Sequence, residues 1–142
     1  MSITYNDKNK DLPCEQLEKL FISAGWSDSK PTHDNSWFKI PFIHSTLVIS
    51  AWENNCLVGV VRVLSDTFGR SVIYDLVVLP EYRNKGIGTE LVRRCIEHFP
   101  NSEWLVQTET HISGYYEKLG FKIYKDIVLT IPSKCALAGN EE

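Results

Sequence analysis

The stretch LPEYRNKGIGTELVRRCIEHF, residues 79–99, is the most informative about the fold, because it joins a β-rich region to a helix through one short charged turn. Residues 46–79 contain three β-rich runs separated by short turns, which predicts antiparallel neighbours. The helical part carries an apolar stripe at helical spacing: Ile87, Leu91, Val92, Cys95, Ile96 and Phe99. The pattern therefore predicts a strand that ends close to the N-terminus of a long helix.

The turn has the chemistry of an anion-binding site. The first amides of a helix have no intrahelical acceptor, and the helix dipole adds roughly half a positive charge there. Gly86 and Gly88 remove the Cβ atoms that would keep a phosphate away, while Arg83 and Lys85 add positive charge. Dinucleotide-binding and Walker sequences do not fit, because Leu91 stands where the first requires glycine and Lys85 precedes its glycine. An ordinary turn with exposed basic residues is the alternative interpretation.

The composition excludes several classes of protein. The chain has 142 residues, the size of one ordinary domain, and a formal net charge of -3, which disfavours nucleic acid as a partner. The N-terminus MSITYNDKNK lacks the apolar core of a secretory signal, and no run reaches the ~18 apolar residues of a membrane span. We therefore expect a cytoplasmic protein without a membrane partner. The cysteines at 14, 56, 95 and 135 have no metal-ligand spacing and predict reduced, mostly buried thiols.

The other elements follow from local patterns. Helix signals cover residues 11–24, a turn-rich segment with several aromatic residues follows, and a fourth β-run begins at residue 103. The segment HISGYYEKLG (111–120) predicts a short helix closed by Gly120, and FKIYKDIVLTIP (121–132) predicts a last strand. This order of elements predicts one mixed sheet and an α+β fold.

Two blocks, LVVLPEYRNKGIGTEL (76–91) and YYEKLGF (115–121), resemble the GNAT superfamily of acyl-CoA-dependent N-acyltransferases. The resemblance covers residues 46–130 well and residues 1–45 in outline. It implies a central, mostly antiparallel sheet with splayed strands and about four helices. It also implies a single N-acetyltransferase domain over residues 1–142, with acceptor-side helices in 1–45, an acyl-CoA-binding core in 46–130 and a C-terminal tail in 133–142.

The resemblance implies acetyl-CoA as co-substrate, no metal, and transfer of the acetyl group to a primary amine by direct attack in a ternary complex. In this interpretation Arg83 opens the loop that cradles the pyrophosphate. The cradle is formed by the backbone amides of six residues: Asn84, Lys85, Gly86, Ile87, Gly88 and Thr89. The main chain of Leu76, Val77 and Val78 is expected to bind the pantetheine arm.

The resemblance also assigns the catalytic groups. Tyr116 is expected to be the general acid beside the thioester sulfur, with the Val78 amide polarising the carbonyl. The general base stays open between Asp75, the first candidate, and Glu109 or His111, each of which could instead cap a turn or helix. Glu109 lies where the family often has an asparagine that contacts the coenzyme, so this segment departs from the pattern.

The acceptor side contains the aromatic residues Trp26, Trp37 and Phe38, with Phe42, which could enclose an amine while Asp28 or Asp34 pairs its charge. Packing in a satellite core is the alternative for these aromatics. Protein N-termini and lysines are open as acceptors besides small molecules. Two other functions are also open: a non-catalytic module that binds or senses acyl-CoA, and a homodimer whose last strand supplies an edge for pairing.

Overall fold

The computed structural model describes residues 2–27 and 35–134. The chain divides into two compact units, Met1–Gln107 and Thr108–Glu142, which are treated separately below. The first unit contains the β-sheet and three of the α-helices, and the second contains the segment around the two consecutive tyrosines. The arrangement of residues 1–142 as one domain therefore stays a prediction.

The first unit is built on a five-stranded sheet with strand order β1-β2-β3-β4-β5. Strands β1 to β4 are antiparallel neighbours, as the short turns predict, whereas β5 pairs parallel to β4 after the helical crossover. The predicted α+β fold with a mostly antiparallel sheet is thus confirmed. The strand bounds are as follows: β1 Thr4–Asn6, β2 Leu47–Glu53, β3 Cys56–Ser65, β4 Arg70–Val78 and β5 Glu103–Val106.

The described part of the chain contains four α-helices: α1 Cys14–Ser23, α2 Ile40–Ile43, α3 Ile87–His98 and α4 Ser113–Glu117. The predicted stripe of α3 is confirmed at four positions, where Ile87, Leu91, Val92 and Cys95 are buried. Helix α1 buries its own stripe, which includes Leu17, Leu20 and Phe21. None of the helices within residues 2–27 and 35–134 has the length and apolar character that crossing a membrane would need.

Gly59 on β3 lets α3 pack closely against the sheet. A Cβ at this position would lie 3.3 Å from the Val77 carbonyl oxygen and 3.4 Å from Leu91 Cδ1. The contact with the Val77 oxygen is tighter than most Cβ contacts, whereas the distance to Leu91 is ordinary van der Waals contact. Glycine therefore leaves room for the β4 backbone at a point where Leu91 of α3 packs directly over β3.

Strand β5 pairs with β4 along only part of its length. The parallel pairing runs from Arg70–Glu103 to Ile73–Val106, whereas β4 continues to Val78. Residues 74–78 therefore have β3 on one side and, within the described residues, no strand on the other. This splay leaves backbone groups of the last part of β4 available to a ligand, because a strand edge presents unpaired amides and carbonyls.

The second unit contains α4, and Gly120 with φ 104° follows it. The amides of Leu119 and Phe121 both donate to the Tyr116 carbonyl oxygen, at 3.0 and 3.2 Å, so the predicted closure of this helix by Gly120 is confirmed. The predicted last strand is wrong, because residues 121–134 contain no strand. Alternation of apolar and polar residues gives a segment two faces, but it does not supply the partner strand on which the ladder depends.

Candidate functional site

The loop between β4 and α3 has the backbone geometry of an anion-binding nest. Asn84 has φ 63° and Gly86 has φ 87°, so two left-handed residues flank Lys85 just before α3 begins at Ile87. Asparagine and glycine are the residues that adopt this conformation most readily. Successive amides in such a turn point toward one side and form a concave donor surface.

Six consecutive backbone N–H groups in this loop have no acceptor among the residues that the structure describes, namely those of 84 to 89. The amides on either side differ: Arg83 N donates to the Pro80 carbonyl at 3.2 Å, and Glu90 N donates to the Gly86 carbonyl at 3.0 Å. No side chain caps the N-terminus of α3. The loop is exposed from Arg83 to Gly86, so its donors can reach a ligand from solvent.

The charges around the loop favour an anion. Arg83 and Lys85 are exposed, and Arg83 Nε also donates to the Val78 carbonyl oxygen at 2.9 Å, which fastens this side chain to the end of β4. The nearest acidic residue of α3, Glu90, is paired with Arg94 Nε at 2.8 Å and with Arg93. Because its charge is offset by these cations, Glu90 opposes an anion at the helix N-terminus less than an unpaired carboxylate would.

The end of β4 contributes main chain to the site. Val77 is buried, while Leu76 and Val78 are half-buried, so all three side chains belong mainly to packing. Their backbone lies in the splayed part of the strand, beyond the last pair with β5. Because Leu79 N donates to the Val58 carbonyl oxygen, Leu76 and Val78 lie in pairs that turn their main-chain groups to the open side of β4, whereas the main chain of Val77 faces β3. Leu76 and Val78 can therefore bind a ligand through main-chain groups, for which side-chain identity matters little.

Asp75, the first candidate for the general base, forms a partly buried ion pair. Its Oδ2 atom lies 2.7 Å from Arg62 Nε, and the two side chains are 19% and 16% exposed. The Arg62 guanidinium also lies 5.8 Å from the centre of the Phe42 ring and 5.4 Å from that of Tyr74. The carboxylate would have to weaken this charge-assisted hydrogen bond in order to accept a proton from an amine.

The other two candidate bases lie in the second unit and are exposed. Glu109 Oε1 is 3.4 Å from His111 Nδ1, and the side chains are 75% and 74% exposed. Glu109 precedes the short 3-10 helix Thr110–Ile112, but its side chain makes no capping hydrogen bond there. These residues are thus a solvent-facing pair, outside any buried pocket that the described structure shows around them.

Tyr116, the candidate acid, is a buried phenol among aromatic rings of its own unit. Its ring makes edge contacts with Tyr115 at 5.1 Å and with Phe121 at 5.5 Å between centroids, and it is 8% exposed. Burial, together with the neighbouring Tyr115 hydroxyl, raises the pKa of Tyr116 to about 12. Its hydroxyl therefore keeps its proton at neutral pH and can act as a donor.

The three aromatic residues predicted for the acceptor side differ in exposure. Phe38 is buried, stacks on Trp37 at 4.2 Å and meets Phe21 edge-on, so its ring belongs to the core of the first unit. Trp26 is 43% exposed and packs one edge against Phe21. The predicted cation partners Asp28 and Asp34 lie outside the described residues.

The thiols differ from the expectation in part. Cys95 is buried in α3, and burial raises its pKa to about 12, which keeps it protonated. Cys14 and Cys56 are only half-buried, and Cys135 lies outside the described residues. The cysteines that the structure describes are all unbridged.

Tyr82 and Glu53 form a contact beside the loop that sequence reasoning did not single out. Tyr82 ends the 3-10 turn Pro80–Tyr82, and its hydroxyl donates to Glu53 Oε1 at the end of β2. In the sequence, the one feature that connects Tyr82 with the loop is its position four residues before Gly86. Glu53 has no local signal, because the two residues are 29 positions apart and meet only through the sheet.

Comparison with known proteins agrees with this geometry. The model of the acetyltransferase (GNAT) family matches residues 10–121. The chain is 30% identical over 124 residues to the protein named uncharacterized N-acetyltransferase ycf52 of Pyropia yezoensis, covering 82% of this chain and 69% of that protein. A shorter match, 42% over 45 residues, is to streptothricin acetyltransferase A of Bacillus subtilis and covers 32% of this chain and 25% of that protein.

The fold is similar to that of solved acetyltransferases. A GNAT family acetyltransferase from Streptococcus pneumoniae superposes with a TM-score of 0.77 at 24% identity, covering 94% of this chain and 99% of the other. The family match spans the loop at residues 84–89, the end of β4 and helix α4, which carries Tyr116. The chain therefore belongs to the acetyltransferase (GNAT) family.

Proposed function

We propose that this acetyltransferase moves an acetyl group from acetyl-CoA to a primary amine by direct attack in a ternary complex. The observation that carries the proposal is the run of six amides at residues 84–89 without a protein acceptor. Such a run suits a diphosphate, which offers many acceptor oxygens and a negative charge. Membership of the GNAT family supports the same conclusion.

The proposed coenzyme site has two parts. Residues 84–89 hold the pyrophosphate through main-chain amides, with Arg83 and Lys85 supplying countercharge. The splayed end of β4, residues 76–78, holds the pantetheine arm, which carries amides of its own, through the outward-facing main chain of Leu76 and Val78. Bound acetyl-CoA supplies the activated acetyl group as a thioester, and the Val78 amide is the proposed donor to its carbonyl oxygen.

The acceptor amine must be neutral to react, so a general base would have to remove its proton. An alkylamine with a pKa near 10 is only about 0.1% neutral at pH 7, an apparent cost of ~4 kcal/mol. Asp75 stays the first proposed base, with Glu109 and His111 as alternatives. The ion pair of Asp75 with Arg62 works against this role, because the carboxylate is already engaged in a charge-assisted hydrogen bond.

Tyr116 is the proposed donor to the departing sulfur. Its raised pKa supports this role, because the hydroxyl stays protonated over the pH range in which a thioester is aminolysed. Trp26 and Trp37 are the proposed acceptor contacts, and Phe38 supports Trp37 from the core. Small amines, protein N-termini and lysines all remain candidate acceptors within this proposal.

A non-catalytic module that binds acyl-CoA is the second candidate function. The environment of the candidate bases favours this alternative, because Asp75 is ion-paired with Arg62, and Glu109 and His111 are exposed in the described structure. Both candidates require coenzyme binding, so turnover separates them. A cytoplasmic location and a homodimer are further proposals, and sedimentation with and without acetyl-CoA tests the second.

The test combines binding and turnover on the same preparation. Calorimetry with acetyl-CoA and free CoA is expected to show saturable binding, and thiol release with a panel of amines and peptides is expected to identify an acceptor. Binding without release of thiol with any amine would favour the non-catalytic candidate. Absence of heat with either coenzyme at high protein concentration would reject both.

A further inference from the structure

The loop is tied to a distant part of the sheet through a side-chain hydrogen bond. Tyr82 donates its hydroxyl proton to Glu53, the last residue of β2. The carboxylate raises the pKa of Tyr82 to about 12, so the hydroxyl remains a donor at neutral pH. The bond joins the residue just before the exposed loop to the β2–β3 hairpin.

The loop has few other restraints of its own. Arg83 Nε binds the Val78 carbonyl, and the Leu79 amide binds the Val58 carbonyl at 2.9 Å. Between Arg83 and Ile87 the chain is exposed and adopts two left-handed conformations, which cost free energy in asparagine more than in glycine. A loop that is already ordered loses less entropy when a ligand binds, so restraint at its start increases affinity.

The hairpin that carries Glu53 is itself held by helix α1. Gln16 accepts from the Leu57 amide at 2.7 Å and donates to the Asn55 carbonyl at 3.2 Å. Asn54, between Glu53 and Asn55, has φ 55°, so the turn is tight and has a defined direction. A continuous set of contacts thus leads from α1 through the hairpin and Tyr82 to the loop.

We propose that Glu53 and Tyr82 are positioning residues for coenzyme binding, which hold the start of the loop so that its amides converge. Gln16 extends the same restraint to α1. The inference rests on the proposed binding of acetyl-CoA by residues 84–89. It concerns affinity for the coenzyme and leaves the chemical step to other groups.

The first test measures CoA affinity and turnover in four variants. Tyr82→Phe and Glu53→Ala are each expected to raise the Kd for CoA about fivefold to tenfold, with kcat at saturating acetyl-CoA within about twofold of wild type. Glu53→Gln keeps an acceptor oxygen and is expected to stay within about twofold in Kd. Tyr124→Phe, at an exposed tyrosine of the second unit, is the control and should bind as wild type.

The second test examines the loop in the coenzyme-free protein. Hydrogen exchange by NMR at the bonded amides of Arg83 and Glu90 is expected to be several-fold faster in Tyr82→Phe, with Val92 in the middle of α3 unchanged. Gln16→Ala should give a smaller change in the same direction. Wild-type exchange in Tyr82→Phe, or a wild-type Kd in both Tyr82→Phe and Glu53→Ala, would overturn the inference while leaving the proposed function intact. Failure of the wild-type protein to bind CoA would instead remove the proposed function and this inference with it.

Discussion

The loop at residues 84–89 and helix α4, which carries Tyr116, have proposed roles that rest on different kinds of chemical group. The loop presents main-chain amides at 84–89, so its proposed role depends on backbone conformation at Asn84 and Gly86. The proposed role of helix α4 depends on one hydroxyl, that of Tyr116, whose burial keeps it protonated. We therefore expect substitutions in the loop to act through φ and charge, and substitutions in α4 to act through a single oxygen atom.

The largest effect is expected at Tyr116. Tyr116→Phe removes the proposed donor to the sulfur and should lower kcat roughly 100-fold or more, with the Kd for acetyl-CoA nearly unchanged. Thiol release at saturating substrates measures the first, and calorimetry the second. Tyr115→Phe is the neighbouring comparison and should lose much less activity. A kcat equal to that of wild type in Tyr116→Phe would remove this residue from the mechanism.

A smaller effect is expected when the loop backbone is altered. Gly86→Ala meets no atom within 4 Å, so its cost comes from φ 87° alone, roughly 1–2 kcal/mol. If the loop relaxes to avoid this cost, the Kd for CoA should rise about tenfold with little change in kcat. Gly25→Ala is a matched control, because it has φ 79° and equally open surroundings outside the loop. Equal binding losses in the two variants would contradict a specific role for the loop.

Charge at the loop should matter less than its shape. Lys85→Ala removes one exposed cation beside the proposed diphosphate and should weaken CoA binding about threefold, an effect that added salt reduces. Lys19→Ala, at an exposed lysine of α1, changes net charge equally and should leave the Kd as in wild type. The same loss at 20 mM and 500 mM salt would indicate a structural effect of the substitution.

The smallest expected effect concerns pH. The pKa of Tyr116 is raised to about 12, so the acid form is complete at neutral pH and is lost only as the pH rises toward that value. The ratio of wild-type kcat to that of Tyr116→Phe should therefore stay constant from pH 7 to pH 9. A ratio that falls within this window would mean that the phenol titrates far lower, and that its environment in the working enzyme is more polar.

Those parts of the candidate site that depend on neighbouring residues could be predicted from the sequence. The turn around Gly86 and the α3 stripe lie within about twenty consecutive residues, and both were confirmed as structure. Asp75 illustrates the opposite case. Its place on β4 suggested a base, but the register sets it opposite Arg62 on β3, and the two form an ion pair. No sequence pattern near Asp75 predicts its pairing with Arg62, which is 13 residues earlier in the chain.

The strand–loop–helix unit and the family could be identified from the sequence alone, because glycine spacing, charge and helical periodicity depend on neighbouring residues and not on distant partners. Tertiary structure decided which side chains meet across the sheet. It pairs Arg62 with Asp75, joins Tyr82 to Glu53 and places Phe38 in the core. The physical reason is that strand register and helix packing depend on the burial and hydrogen bonding of the whole sheet, so such contacts are set only when all its strands are in place.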